Sequence, residues 1–238
     1  MGTVLEMSVT GFLPRSRTAT ALLLGALLAL SGCGNDPAPL GALALGALKG
    51  LIPGQGAEPA PVDLRKALTR AALDQSQTPL LLAESEATGL AGVMAAVADN
   101  GSWRSWRGAD NVGLGFRGGL LGRTQGLGED LMSADLDEPL AHLTGRGSGS
   151  TAVRVHRYLD GERQEVTRSY VCRYGSAGAE TITIIGARHV TRHLVETCRG
   201  PDREFRNDYW MGGDGMVWKS RQWVGPDVGH LILERLVR

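Results

Sequence analysis

The sequence predicts a mostly β, all-β-class fold: one large antiparallel meander sheet, curled on itself or barrel-like, with a short N-terminal helix and a small helical or irregular insert. Three observations predict it. From Leu80 onward the apolar residues fall in short runs bounded by turn residues, not at helical spacing. Asn100-Gly101, Asp160-Gly161 and Asp214-Gly215 stand between such runs, and these dipeptides tolerate the positive φ of tight hairpins. The runs number about a dozen, and a flat open sheet of that width leaves its edges unprotected, so it curls or closes.

Residues 1–32 read as an export signal. Arg15 and Arg17 make a basic n-region, and Thr18–Leu30 is an uncharged apolar stretch too short to span a bilayer. Leu30-Ser31-Gly32-Cys33 follows, a lipobox that makes Cys33 the expected lipidation site. Gly34 stands where an Asp would mark inner-membrane retention, so the expected location is the outer membrane, with the domain facing the periplasm. Each buried methylene of an acyl chain contributes about 0.8 kcal/mol, so several chains hold the protein permanently. Residues 33–61 read as a flexible tether: positions 34–61 hold five of the ten prolines, and Gly41, Gly46 and Gly50 interrupt the helical spacing of Leu40, Leu43, Ala47, Leu48 and Leu51.

Residues 62–238 read as a single β-rich domain. Asp63 is placed to cap a short helix with Leu64, Ala67, Leu68, Ala71 and Ala72 on one side, ended by Pro79. Strands are expected over Leu80–Glu86, Gly92–Ala98, Ser102–Arg107, Val112–Phe116 and Leu120–Thr124, with Asn100-Gly101 as a two-residue hairpin loop. Glu129–Thr144 has few β-branched residues and reads as the insert. Longer strands follow over Ala152–Leu159, Glu162–Tyr174, Glu180–Ala187, His189–Cys198, Glu204–Met211, Met216–Val224 and Gly229–Leu236.

Composition narrows the partners. The chain has 25 basic and 25 acidic residues, and this balance argues against nucleic acid. Its 22 arginines against 3 lysines are scattered, though residues 146–221 are mildly basic, with 13 Lys/Arg against 9 Asp/Glu.

Several strings recur together in a known family. They are the lipobox; Asn100-Gly101 followed by Trp103 or Trp106; Gly118-Gly119-Leu120; Thr124-Gln125-Gly126-Leu127-Gly128-Glu129-Asp130-Leu131-Met132; Arg157-Tyr158; Cys172; Glu196-Thr197-Cys198; Asn207-Asp208-Tyr209-Trp210; and Lys219-Ser220-Arg221-Gln222-Trp223. In these the chain resembles the YjbF/GfcB lipoproteins, linked to exopolysaccharide and group 4 capsule production. One departure is Gln125, where the family pattern has arginine. The resemblance implies a mostly β fold and an outer-membrane lipoprotein of a polysaccharide assembly or secretion system. It brings no catalytic residues and no cofactor.

Candidate chemistry is sparse. His189 and His193 lie four apart, but on a strand that spacing is about 13 Å, too far for one zinc, and no metal is expected. Glu129, Asp130, Asp135 and Asp137 form an acidic cluster; paired carboxylates cleave glycosides, while acids at a helix start simply favour its dipole. Ser148, Ser150, Ser169 and Ser220 stand outside any Gly-x-Ser-x-Gly string. Trp210, Trp218 and Trp223 fall in neighbouring expected strands, where an indole either packs in the core or stacks on a sugar face.

After lipidation of Cys33 the remaining thiols are Cys172 and Cys198, and an oxidising compartment pairs them as a disulfide. The expected strands oppose this: a middle strand over Glu180–Ala187 separates the two cysteines by nearly 10 Å, beyond the roughly 7 Å a bridge spans. The expected role is a non-enzymatic accessory factor contacting polymer or envelope secretion proteins. A polysaccharide-modifying enzyme and a structural adaptor are the competing readings.

Overall fold

A computed structural model describes residues 63–238. The expected signal peptide, the expected tether and Cys33 lie outside the described residues. None of the described helices is long and apolar enough to cross a membrane.

The described residues open with two one-turn helices, α1 (Leu64–Ala67) and α2 (Arg70–Leu73), where one helix was expected. Asp63 caps the first, accepting from the Arg65 and Lys66 amides, and the Thr69 hydroxyl caps the second. That second cap requires extended backbone at Thr69 and so breaks the helix.

Twelve strands follow: β1 (Leu80–Ser85), β2 (Ala91–Asn100), β3 (Trp103–Gly108), β4 (Gly113–Arg117), β5 (Leu120–Gln125), β6 (Ser133–Asp135), β7 (Thr151–Leu159), β8 (Glu165–Ile184), β9 (Ala187–Arg199), β10 (Glu204–Gly212), β11 (Val217–Gly225) and β12 (Gly229–Val237). They form one antiparallel sheet in the order β5-β4-β3-β2-β1-β12-β11-β10-β9-β8-β7-β6. Two meanders are thus joined where β1 pairs with β12. The sheet nearly closes into a barrel at the seam between β5 and the segment before β6, where the Thr124 amide donates to the Leu131 carbonyl. The expected insert supplies β6 and a helix, α3 (Asp137–Leu143).

Two expectations need correction. The strands expected over Glu162–Tyr174 and Glu180–Ala187 are one strand, β8, which continues through a bulge at Ser176–Gly178 and turns at Ile185-Gly186. A Gly-rich stretch reads as a break, but a bulge absorbs it without ending the ladder. With no intervening strand, Cys172 pairs directly with Cys198 across β8 and β9, Cα–Cα 3.9 Å, and the disulfide forms. The first hairpin is also shifted by one residue. Asn100 pairs with Trp103, so the loop is Gly101-Ser102, and Gly101 supplies the positive φ.

The interior is packed. Leu81, Met94, Trp106, Leu114, Phe116, Leu121, Tyr209, Val224, Leu231 and Leu233 fill the main core. A second cluster joins Leu73 of α2, Leu82 of β1 and Leu236 of β12 to Ile182 and Ile184 at the tip of the β8–β9 hairpin. Arg65 of α1 binds Glu84 and the buried Glu234, and Lys219 reaches Glu234 at 3.3 Å.

Candidate functional site

Two polar assemblies stand out, one inside the barrel and one on its surface. The interior assembly centres on Glu196, which is fully buried. Arg154 donates to it from Nε (3.0 Å, to Oε1) and Nη2 (3.1 Å, to Oε2). Tyr174 donates to Oε1 at 2.6 Å; Asn207 and Tyr209 donate to Oε2 at 2.8 and 2.7 Å. Desolvation would raise the carboxyl, but the Arg154 cation and the bonds from Asn207, Tyr174 and Tyr209 overcome it and hold it below the usual range. Burial, together with the same carboxylate, pushes the Tyr209 phenol well up. His156 is buried beside Arg154; desolvation and that cation keep it neutral. With Arg154 donating to its Nε2, the inferred proton sits on Nδ1 and points to the Tyr158 oxygen at 3.0 Å. Every member is spoken for, which is the condition for a structural network. Cys172, Cys198 and Glu196 also cluster within 4.8 Å, but the sulfurs are bonded to each other and the carboxylate to Arg154.

The surface assembly centres on β9, β10 and β11, with Glu180 of β8, Glu86 and His230 of β12 at its margin. His193 and Trp210 are cross-strand partners and stack at 4.4 Å. The indole Nε1 donates to Glu180 at 2.7 Å, and Lys219 Nζ lies 5.3 Å from the ring. Asp208 receives Arg206 and His193 Nε2, both at 2.7 Å; these bonds hold its carboxyl low against partial desolvation. Arg221 grips Glu86 through Nε and Nη2 at 2.7 and 2.6 Å and also donates to His230. Trp210 is thus a half-buried indole ringed by donors, acceptors and both signs of charge.

The three candidate tryptophans fall into different surroundings. Trp218 is 9 % exposed, with His189 stacked on it at 3.8 Å and Arg238 over its ring. Trp223 is half-buried, packed beside Phe205 and under Arg203, near the disulfide. Trp210 and Trp223 are both partly exposed, but of the three only Trp210 has its indole Nε1 bonded to a carboxylate, that of Glu180. His189 and His193 each stack on a different indole.

The acidic cluster is dispersed by local bonding. Asp130 closes the Gln125–Glu129 loop, accepting from the Thr124 hydroxyl and the Gly126 and Leu127 amides. Glu129 accepts from the Asp227 amide, Asp135 from the Asp137 amide, and Asp137 pairs with Arg117. Sequence reasoning missed the Arg154–Glu196 network entirely, although Glu196 stood in one of the family strings.

Residues 48–236 match the family described as group 4 capsule polysaccharide lipoprotein gfcB, YjbF. The crystal structure of the hypothetical lipoprotein YmcC from Escherichia coli (K12) is similar at a TM-score of 0.64 and 18 % identity, covering 77 % of this chain and 98 % of that one; at this identity it shows the shared fold. No curated protein matches the chain. That family match spans residues 48–236, and this chain belongs to the YjbF family of group 4 capsule polysaccharide lipoproteins.

Proposed function

We propose that this chain is a lipid-anchored, non-enzymatic accessory protein of capsule or exopolysaccharide production, and that the face around Trp210 contacts the polymer. The observation that carries this reading is the half-buried indole framed by Glu180, His193, Asp208, Arg206 and Lys219. Sugars are recognised by such a pairing of an aromatic surface with fixed donors and acceptors. Attachment is through acylated Cys33 at the outer membrane, with residues 33–61 as the tether to a periplasmic domain.

Titrating the purified full-length chain with the cognate polysaccharide tests it. Intrinsic fluorescence is expected to change saturably in the native chain, and Trp210→Ala is expected to weaken binding by about tenfold or more. Equal affinity in the two removes the Trp210 face from the proposal. A protein adaptor is the second reading, favoured by Val153 and Val171, 46 % and 55 % exposed and directly paired across β7 and β8.

A further inference from the structure

We propose that one end of the barrel holds a separate binding site for a carboxylate-bearing sugar unit, with the carboxylate seated on Arg235. A cavity of about 260 Å³ opens there, where the β2–β3, β4–β5 and β10–β11 turns meet β12. This is just below the roughly 300–1,000 Å³ of drug-sized clefts, a size for one sugar unit rather than a length of chain. Trp103 and Phe116 form an apolar wall, and Asp99, Arg104 and Arg235 supply the charge. Gly119, at φ 90°, brings the β4–β5 turn against the opening, where an added methyl group would strike Val217.

The charges are not equivalent. Arg104 is occupied, donating to the Asp99 carboxylate at 2.6 and 2.9 Å. Arg235 forms no ion pair among the described residues, although the Asp99 carboxylate acts on it from a distance. Its Nε and Nη1 are buried without an acceptor, and its guanidinium lies 4.5 Å over the Trp106 ring. Burial, helped by Arg104, draws it down to about 10, so it remains a cation at neutral pH. A partly buried cation whose Nε and Nη1 find no protein acceptor is a cost to the fold unless water or an anion completes it. Where a fold keeps such a group, function is the expected reason. A guanidinium fork matches a carboxylate with two parallel bonds. The aromatic wall beside it suits the C–H face of a sugar ring. The anion rests on Arg235 alone; the sugar rests on the polysaccharide reading above.

The test uses the full-length chain in detergent, titrated with sodium D-glucuronate, D-glucose and inorganic phosphate. Glucuronate is expected to bind and raise the melting temperature, with glucose and phosphate bound at least about tenfold more weakly. Arg235→Met is expected to lose glucuronate by about tenfold or more while keeping its melting temperature, because it removes unmet buried donors. Asp99→Asn, which removes the competing anion, is expected to tighten binding by about twofold to fivefold. Trp210→Ala is expected to bind glucuronate as the native chain does, which separates this site from the polymer face. A folded native chain that ignores glucuronate, an Arg235→Met variant that binds it unchanged, or phosphate bound as well as glucuronate overturns the proposal.

Discussion

Arg154→Met, with Glu196 left in place, is expected to destabilise the domain by about 3–5 kcal/mol, the cost of stranding one charge of a buried pair. Glu196 is fully buried and Arg154 1 % exposed. The carboxylate would keep Tyr174, Asn207 and Tyr209 but lose its counter-charge and two of five donors. Removing both charges, as in Arg154→Met with Glu196→Leu, is expected to recover much of the loss, because buried pairs contribute little net stability over apolar packing. Denaturant melts of native, single and double variants check this. A single variant as stable as the native chain would show that the network is not what orders β7 against β9 and β10.

Removing the disulfide is the second large effect. Cys172 and Cys198 are 26 residues apart, and a loop of that size corresponds to about 3 kcal/mol in the chain-entropy account. Both cysteines are buried and packed in one cluster with Tyr170 and Phe205. The Cys172→Ala, Cys198→Ala variant is therefore expected to unfold at lower denaturant, by about that amount. Thiol titration of unfolded, unreduced native protein is expected to find neither cysteine free. Two titratable thiols per chain at these positions would contradict the bridge.

Much of the fold was legible in the sequence. Strands such as β7, β10, β11 and β12 lie within a residue or so of their expected bounds, because short β-rich runs between Asp-Gly and Gly-containing turns carry a strong local signal. The β8–β9 turn, expected between Ala187 and His189, falls instead at Ile185-Gly186. Ile185 adopts φ 41°, a conformation β-branched residues avoid, and it is held there by packing into the cluster with Leu73 and Ile184. No local preference announces such a turn.

The interior network was hidden for a different reason. In β7 the alternation places Val153 and Val155 on one face and Arg154, His156 and Tyr158 on the other. Hydrophobic patterning would bury the valines. The structure buries the polar face, because Glu196, Asn207 and Tyr209 wait there from strands some 40 to 55 residues away. Partners so distant in sequence leave no local trace. Arg235 was hidden likewise, as one of many scattered arginines whose lack of a partner only the fold reveals.

Secreted polymer in a deletion strain tests the central claim most directly. Complementation with the native chain is expected to restore secretion. Complementation with Cys33→Ala, or with a stably folded Trp210→Ala variant, is expected to restore little of it. Full secretion from both variants would contradict a membrane-anchored protein that works by contacting the polymer.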